Sequence, residues 1–312
     1  MHMNKYISQH APTYPPKPTA TGQRKQGIIA PLLRSILAGG ALLCLVSCND
    51  MDTSPVGNYS EDQFWTSIEK AQYMLNMVYN QHYSAGTMWN DETLTDNLIH
   101  ARDFCDERTI RNGNAETTTA TFATTWKNLY AGIKTANMFL ANIDKLQANK
   151  HTLTRMKAQA RYLRAWMYLR LTSLYGDVPY FTTNLTTAEA KRVSRTPHTQ
   201  VMAAIHNELT NILNDLPRRD DLTNDERGQI TRGAAIMLQA RAYLYDSDWA
   251  AVEQYCLKLM NEQEQYGHYA LFPNYQDLFS QDAEYNPEII ADYEYAPRVK
   301  TWGEMHDMAP IS

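Results

Sequence analysis

Between Ala160 and Phe181 the chain reads "ARYLRAWMYLRLTSLYGDVPYF", and no other stretch restricts its fold so strongly. At 100° per residue, Leu163, Met167, Leu171 and Leu174 form one apolar stripe, while Tyr162, Trp166, Leu169 and Ser173 cover much of the remainder. A helix with two apolar faces needs neighbours on two sides, so the segment from about Leu153 to Tyr175 is expected inside a stack of paired helices. Arg161 and Arg170 point roughly opposite ways, and each must either snorkel to water or meet a carboxylate. The end is abrupt. Tyr175 and Gly176 supply the last turn and the C′ position, and Pro179 forbids resumption.

Helical spacing recurs on both sides. Ser60 and Gln63 stand in capping-box register before Phe64, Ile68, Ala71, Leu75 and Val78, and a further helix is expected through Phe122, Trp126, Leu129, Ile133, Ala136, Leu140 and Ile143. Later helices are expected over Pro197–Leu216, with Thr196 as N-cap and Pro217 as the stop, and over Thr231–Tyr245 and Trp249–Asn261. Between Gln81 and Ala120 the periodicity fails. Gly86, Asn90, Asp91, Asn97, Asn112, Gly113 and Asn114 mark a long polar connection there. No segment alternates like a sustained strand, although "EIIADYEY" near the end could form a short one. The fold class is therefore mainly α, helix pairs with long irregular loops.

The N-terminal residues decide where such a chain works. Lys5, Lys17, Arg24, Lys25 and Arg34 precede the apolar run "SILAGGALLCLVSC", with no acid among them. That is the pattern of a secretory signal, and the run is too short for the roughly 20 residues of a membrane-spanning helix. Leu45-Val46-Ser47-Cys48 resembles the lipobox of bacterial lipoproteins, where the cysteine is acylated and becomes the new N-terminus. The expected organisation is a signal peptide over residues 1–47, a tether over 48–59 and one helical domain over 60–312. Loss of the signal removes five positive charges, so the formal net charge of −5 becomes −10 in the mature chain. An acidic chain without a basic run argues against nucleic acid and against electrostatic docking on lipid, which leaves acylated Cys48 as the anchor. Cys105 and Cys256 remain, too few for a disulfide framework and without metal-ligand spacing.

In "LQARAYLYDSDWAAVEQYCLKLM", small residues stand at Ala240 and Ala242 on one expected helix and at Ala250 and Ala251 on the next, with the aromatic Trp249 right after the turn. This resembles a tetratricopeptide helix-turn-helix, where small residues allow close crossing and the aromatic plugs the gap. With Cys48, "MDTSPVGNYSEDQFW", "KAQARYLRAWMYLRLTSLYGDVPYF", "RGAAIMLQARAYLYDSDW" and "NPEIIADYEY", the chain resembles the SusD-like (RagB/SusD) family of outer-membrane nutrient-binding lipoproteins of Bacteroidetes, whose members are typically much longer. The resemblance implies a tetratricopeptide-like α-α superhelix on the cell surface. It also implies an outer-membrane lipid anchor, a glycan ligand, and a SusC-like TonB-dependent transporter as partner.

Glycan capture needs flat aromatic faces for sugar rings and planar polar groups for hydroxyl pairs. Trp89, Asn90, Asp91, Asp96, Asn97 and Arg102 in the long connection, and Tyr293, Tyr295 and Trp302 near the end, are the candidates. Trp65, Trp126, Trp166 and Trp249 lie on helical stripes and are read as packing. No G-x-S-x-G, H-E-x-x-H, P-loop or G-x-G-x-x-G motif occurs, and the nine histidines are scattered. The reading is a binding protein rather than an enzyme, without cofactor or metal. Its rival is a tetratricopeptide-like scaffold that docks a protein and holds no small ligand.

Overall fold

The computed structural model describes residues 64–100 and 105–295. The apolar periodicities become helices α1 (Ile68–His82), α2 (Ala85–Glu92), α3 (Asp106–Arg111), α4 (Ala120–Asn142), α5 (Lys150–Tyr175), α6 (His198–Ile212), α7 (Arg232–Tyr245) and α8 (Trp249–Asn261). Single helical turns lie at Thr187–Ala190 and Gln263–Tyr266. Among the described residues there is no β-strand, only an isolated antiparallel bridge between Val178 and Thr196. Nor is any described helix long and apolar enough to cross a membrane.

α5 is the axis of the stack. It packs against α1 and α4 on one side and against α6 and α7 on the other, and α8 closes a hairpin with α7. Both apolar faces are accordingly consumed: Leu163, Met167, Leu171, Tyr162 and Leu169 are all buried. Each such side chain contributes about 1.5–3 kcal/mol by leaving water. The stripe gives out one residue early, since Leu174 at the C-terminus is 56% exposed. α4 crosses α5 at Gly132, where a Cβ would come within 2.5 Å of the Met167 sulfur. Gly176 ends α5 at φ +69° and ψ −120°, backbone that a side chain strains.

Both exposed-cation expectations on α5 resolve into ion pairs. Arg161 donates through Nε and Nη2 to the Glu208 carboxylate at 3.1 and 2.9 Å, and Arg170 donates to Asp91 at 2.7 Å. A third arginine carries the larger share. Buried Arg164 donates to Glu208 at 2.6 Å, to Asn137 Oδ1 at 2.7 Å and to the Thr182 carbonyl at 3.0 Å. Burial acts to raise the Glu208 carboxyl, but the Arg161 hydrogen bond and the two guanidinium charges outweigh it and hold the group below its ordinary range.

Five sequence expectations need correction or placing. α1 starts at Ile68, with Ser67 accepting from the Lys70 amide, while Ser60 and Gln63 lie outside the described residues. α6 starts one residue late because Thr196 is extended and bridges Val178, so Pro197 takes the cap position. The long connection from Gln81 to Ala120 contains α2 and α3, two short helices without an apolar stripe to announce them. "EIIADYEY" is irregular, and the carbonyls of Asn286 and Ile289 just there accept from Arg219 instead of a partner strand. Trp249 is no plug: α8 buries only Leu259, and the indole is 64% exposed.

Candidate functional site

The end of α1, the whole of α2 and the middle of α5 converge with the C-terminal segment. At that point His82, Tyr83, Trp166 and Tyr293 form an aromatic cluster. The His82 ring meets Trp166 edge-on at 4.0 Å between centroids and stacks on Tyr293 at 5.4 Å, and Tyr83 lies 5.3 Å from both Trp166 and Tyr293. The Tyr293 hydroxyl is 2.8 Å from Nδ1 of His82. Burial, helped by the Arg170 charge, pushes His82 down to about 3, so its ring is neutral. Burial likewise pushes the Tyr293 hydroxyl up, so it stays protonated. Tyr295 reaches the same place, its hydroxyl accepting from the Ala85 amide at the start of α2 at 2.9 Å.

Arg170 joins this cluster to α2. Its guanidinium lies 5.5 Å from the Tyr83 ring and 5.9 Å from the Trp166 ring, within cation–π range. Asp91 accepts from Arg170 on one oxygen and from the Tyr83 hydroxyl, at 2.8 Å, on the other.

Beside the cluster opens a cleft of about 320 Å³. Tyr83, His82 and Arg170 form one flank, and Asn80, Gln81, Ser84, Thr87, Thr125 and Asn128 supply hydroxyls and amides around it. The Gln81 Oε1 atom is buried there without a hydrogen-bond partner among the described residues. An orphaned buried acceptor costs about 1–3 kcal/mol, a debt that a bound hydroxyl would remove. A second cleft, of about 440 Å³, lies between α1 and α5. Many of its polar groups pair with one another, Arg155 with Glu226 and Gln229 and Gln159 with Gln229 and Tyr79, although Arg155 Nε is buried without a hydrogen-bond partner among the described residues.

The residues named from sequence separate into groups. Asp91, Tyr293 and Tyr295 are brought to the aromatic cluster; Trp89 and Asn90 sit on α2, with Trp89 Nε1 buried and unpartnered among the described residues. Asp96 and Asn97 stand exposed beyond α2, Asn97 donating to Glu92 at 3.3 Å. Arg102, Trp302 and Cys48 lie outside the described residues. Sequence reading missed Gln81, Tyr83, Asn128 and Arg170 as cleft residues. Arg170 did leave a trace, as a cation on an apolar helix that required a carboxylate.

With this geometry in view, the comparisons with known proteins are informative. A family model described as "Starch-binding associating with outer membrane" matches residues 51–244, which takes in α1 to nearly the end of α7. The chain belongs to the SusD-like family. SusD-like protein P25 of Formosa agariphila is 26% identical over 181 residues, 56% of this chain and 32% of that protein. SusD-like protein P2 of the same organism is 26% identical over 248 residues, 76% of this chain and 48% of that protein. A solved SusD-like carbohydrate binding protein from Bacteroides fragilis NCTC 9343 matches with a TM-score of 0.64 at 28% identity, over 69% of this chain and 44% of that one. The chain thus spans about a third to a half of the length of these SusD-like relatives. The family model's match ends at residue 244, so Tyr293 and Tyr295 reach the aromatic cluster from outside the segment that the model matches.

Proposed function

We propose that this chain is the helical part of a surface lipoprotein that holds an oligosaccharide or polysaccharide and hands it to a SusC-like TonB-dependent transporter. Acylated Cys48 and the tether over residues 48–59 would fix it to the outer membrane once residues 1–47 are removed. The observation that carries the ligand reading is the cleft beside α2. It combines an aromatic and guanidinium flank with amides, hydroxyls and an unsatisfied buried acceptor at Gln81. Sugar rings present alternating C–H faces and hydroxyl pairs, which such a surface can match. The family description and the carbohydrate-binding relative support the same class of ligand.

Retention without turnover fits the titratable groups of the cleft. Its histidine is held neutral by burial, its tyrosine hydroxyl is pushed up by burial, and the adjoining carboxylate of Asp91 is already engaged by Arg170 and Tyr83. A glycosidase needs a free carboxyl pair across a bond, and this flank offers none among the described residues.

A glycan panel read by calorimetry on the mature protein tests the proposal. One class of glycan should bind at micromolar or tighter affinity and be recovered chemically unchanged, and Trp89→Ala or Trp302→Ala should weaken it. A panel with no binder, or a glycan that is cleaved, would overturn it.

A further inference from the structure

Away from the cleft, the connector between α2 and α3 ends in a second cluster of chemistry-bearing side chains. His100, Cys105 and Glu107 each offer one donor atom, and the imidazole nitrogen, the sulfur and the carboxylate oxygen all lie within 4.8 Å of one another. All three residues are half-buried. Cys105 occupies the N-cap position of α3 and makes no side-chain cap hydrogen bond. It is not in a disulfide either, and nor is Cys256. The acids that follow divide their tasks. Asp106 accepts from both the backbone amide and the hydroxyl of Thr121 at 2.8 Å, which ties α3 to the start of α4. Glu107 is the carboxylate that remains in the cluster with the sulfur and the imidazole.

We infer that His100, Cys105 and Glu107 form a zinc site that clamps the connector onto α3. Zinc binds nitrogen, oxygen and sulfur at about 2.0–2.3 Å, which in a tetrahedron places its ligands roughly 3.5 Å apart. Small side-chain rotations close 4.8 Å to that spacing. A thiolate disfavours calcium and magnesium, which take hard oxygen donors, whereas a mixed sulfur, nitrogen and oxygen set suits zinc. Three protein ligands leave a fourth position for water. On binding, the zinc–sulfur bond replaces the sulfur–hydrogen bond and the thiol proton goes to solvent, so affinity falls as pH falls. The clamp reinforces a contact already present, the 2.8 Å hydrogen bond from Arg111 Nη1 to the Leu98 carbonyl. It thereby steadies the strand of chain that carries Asp96 and Asn97.

The test strips the intact protein with a chelator and titrates it with zinc by calorimetry and with cobalt(II) by absorbance. One equivalent should bind, with proton release and a sulfur-to-cobalt charge-transfer band. Cys105→Ser should abolish the band and weaken zinc by more than about tenfold, equivalent to about 1.4 kcal/mol. Glu107→Gln, which keeps an oxygen donor, should weaken zinc less, and Cys256→Ser and His151→Ala should bind as the parent does. Circular dichroism establishes that each variant folds. Absence of stoichiometric binding, or binding that survives Cys105→Ser unchanged, would overturn the inference.

Discussion

Two polar connectors flank the central helices, and they are built in opposite ways. The one after α5, residues 176–186, is fastened by buried and half-buried side chains that project from the scaffold beneath it. Tyr168 donates to the Phe181 carbonyl at 2.7 Å and accepts from its amide at 3.0 Å; Tyr130 donates to the Pro179 carbonyl at 2.7 Å. Arg164 and Asn137 take the next two carbonyls, Thr182 and Thr183, at 3.0 and 3.1 Å. The connector before α3 is held near its two ends, where Asp91 of α2 meets Arg170 and Tyr83 and where Arg111 of α3 donates to the Leu98 carbonyl at 2.8 Å, while Leu94, Asp96, Asn97 and Ile99 stand exposed. The contrast teaches that a loop following a rigid helix need not be the mobile, functional one. Backbone polar groups satisfied from below make a wall, and those left to solvent make a rim.

The contrast can be broken most forcefully at Glu208, which orients the arginine that holds the first connector. Glu208→Gln leaves Arg161 and Arg164 without their counter-charge and should cost about 3–5 kcal/mol, measured by urea unfolding. Acid should separate the two regions next. His82, under the aromatic cluster, is held at about 3 in the fold against an ordinary value near 6.5. The unfolded chain therefore gains the proton first, and stability falls as pH drops from about 6.5, at up to about 1.4 kcal/mol per pH unit. Glu208 is depressed in the fold, so its contribution is present above the ordinary glutamate range and is lost only at lower pH, as the carboxylate is neutralised. His82→Asn should flatten the first phase and leave the second, a result readable from denaturant midpoints across pH.

Gly176→Ala should cost about 1–2 kcal/mol. Open space surrounds the position, so the loss would be pure backbone strain at φ +69°, measured as a lower melting temperature. Asp91→Asn is the smallest effect. The pair it breaks is a fifth to a third exposed, with side-chain exposures of 21% and 33%, and about 1 kcal/mol or less is expected. If Asp91→Asn proved costlier than Glu208→Gln, the assignment of wall and rim would be reversed.

These magnitudes also explain what could be read from the chain. α4, α5, α7 and α8 were legible because their apolar residues recur every three or four positions and their stops carry glycine, proline or a short turn. α2 and α3 were not, since each is too short to bury a stripe and is held by specific contacts to distant residues. Tyr295 caps α2 from 210 positions away and Asp106 anchors α3 on Thr121. The aromatic cluster was half legible. Tyr293 and Asp91 were singled out by residue type, but Gln81 and Tyr83 gain their meaning only from the neighbours that folding brings. The buried Arg164 gave no warning, because a basic residue in a sequence reads as surface until Glu208 is placed beside it. Trp249 erred the other way, an aromatic in a plug position on a helix that the described residues leave uncovered.

The central claim is that the cleft beside α2 holds a glycan with the help of a buried acceptor the fold leaves unsatisfied, Gln81 Oε1, and Gln81→Leu tests it most directly. Removing a buried acceptor that has no partner should leave the melting temperature unchanged or raised, since replacing an unpaired polar group with an apolar one is neutral or favourable. Calorimetry against the glycan that the parent protein binds should meanwhile record an affinity weaker by about tenfold or more, the effect of one lost hydrogen bond of about 1.4 kcal/mol. Unchanged affinity in a stably folded Gln81→Leu protein would contradict the account.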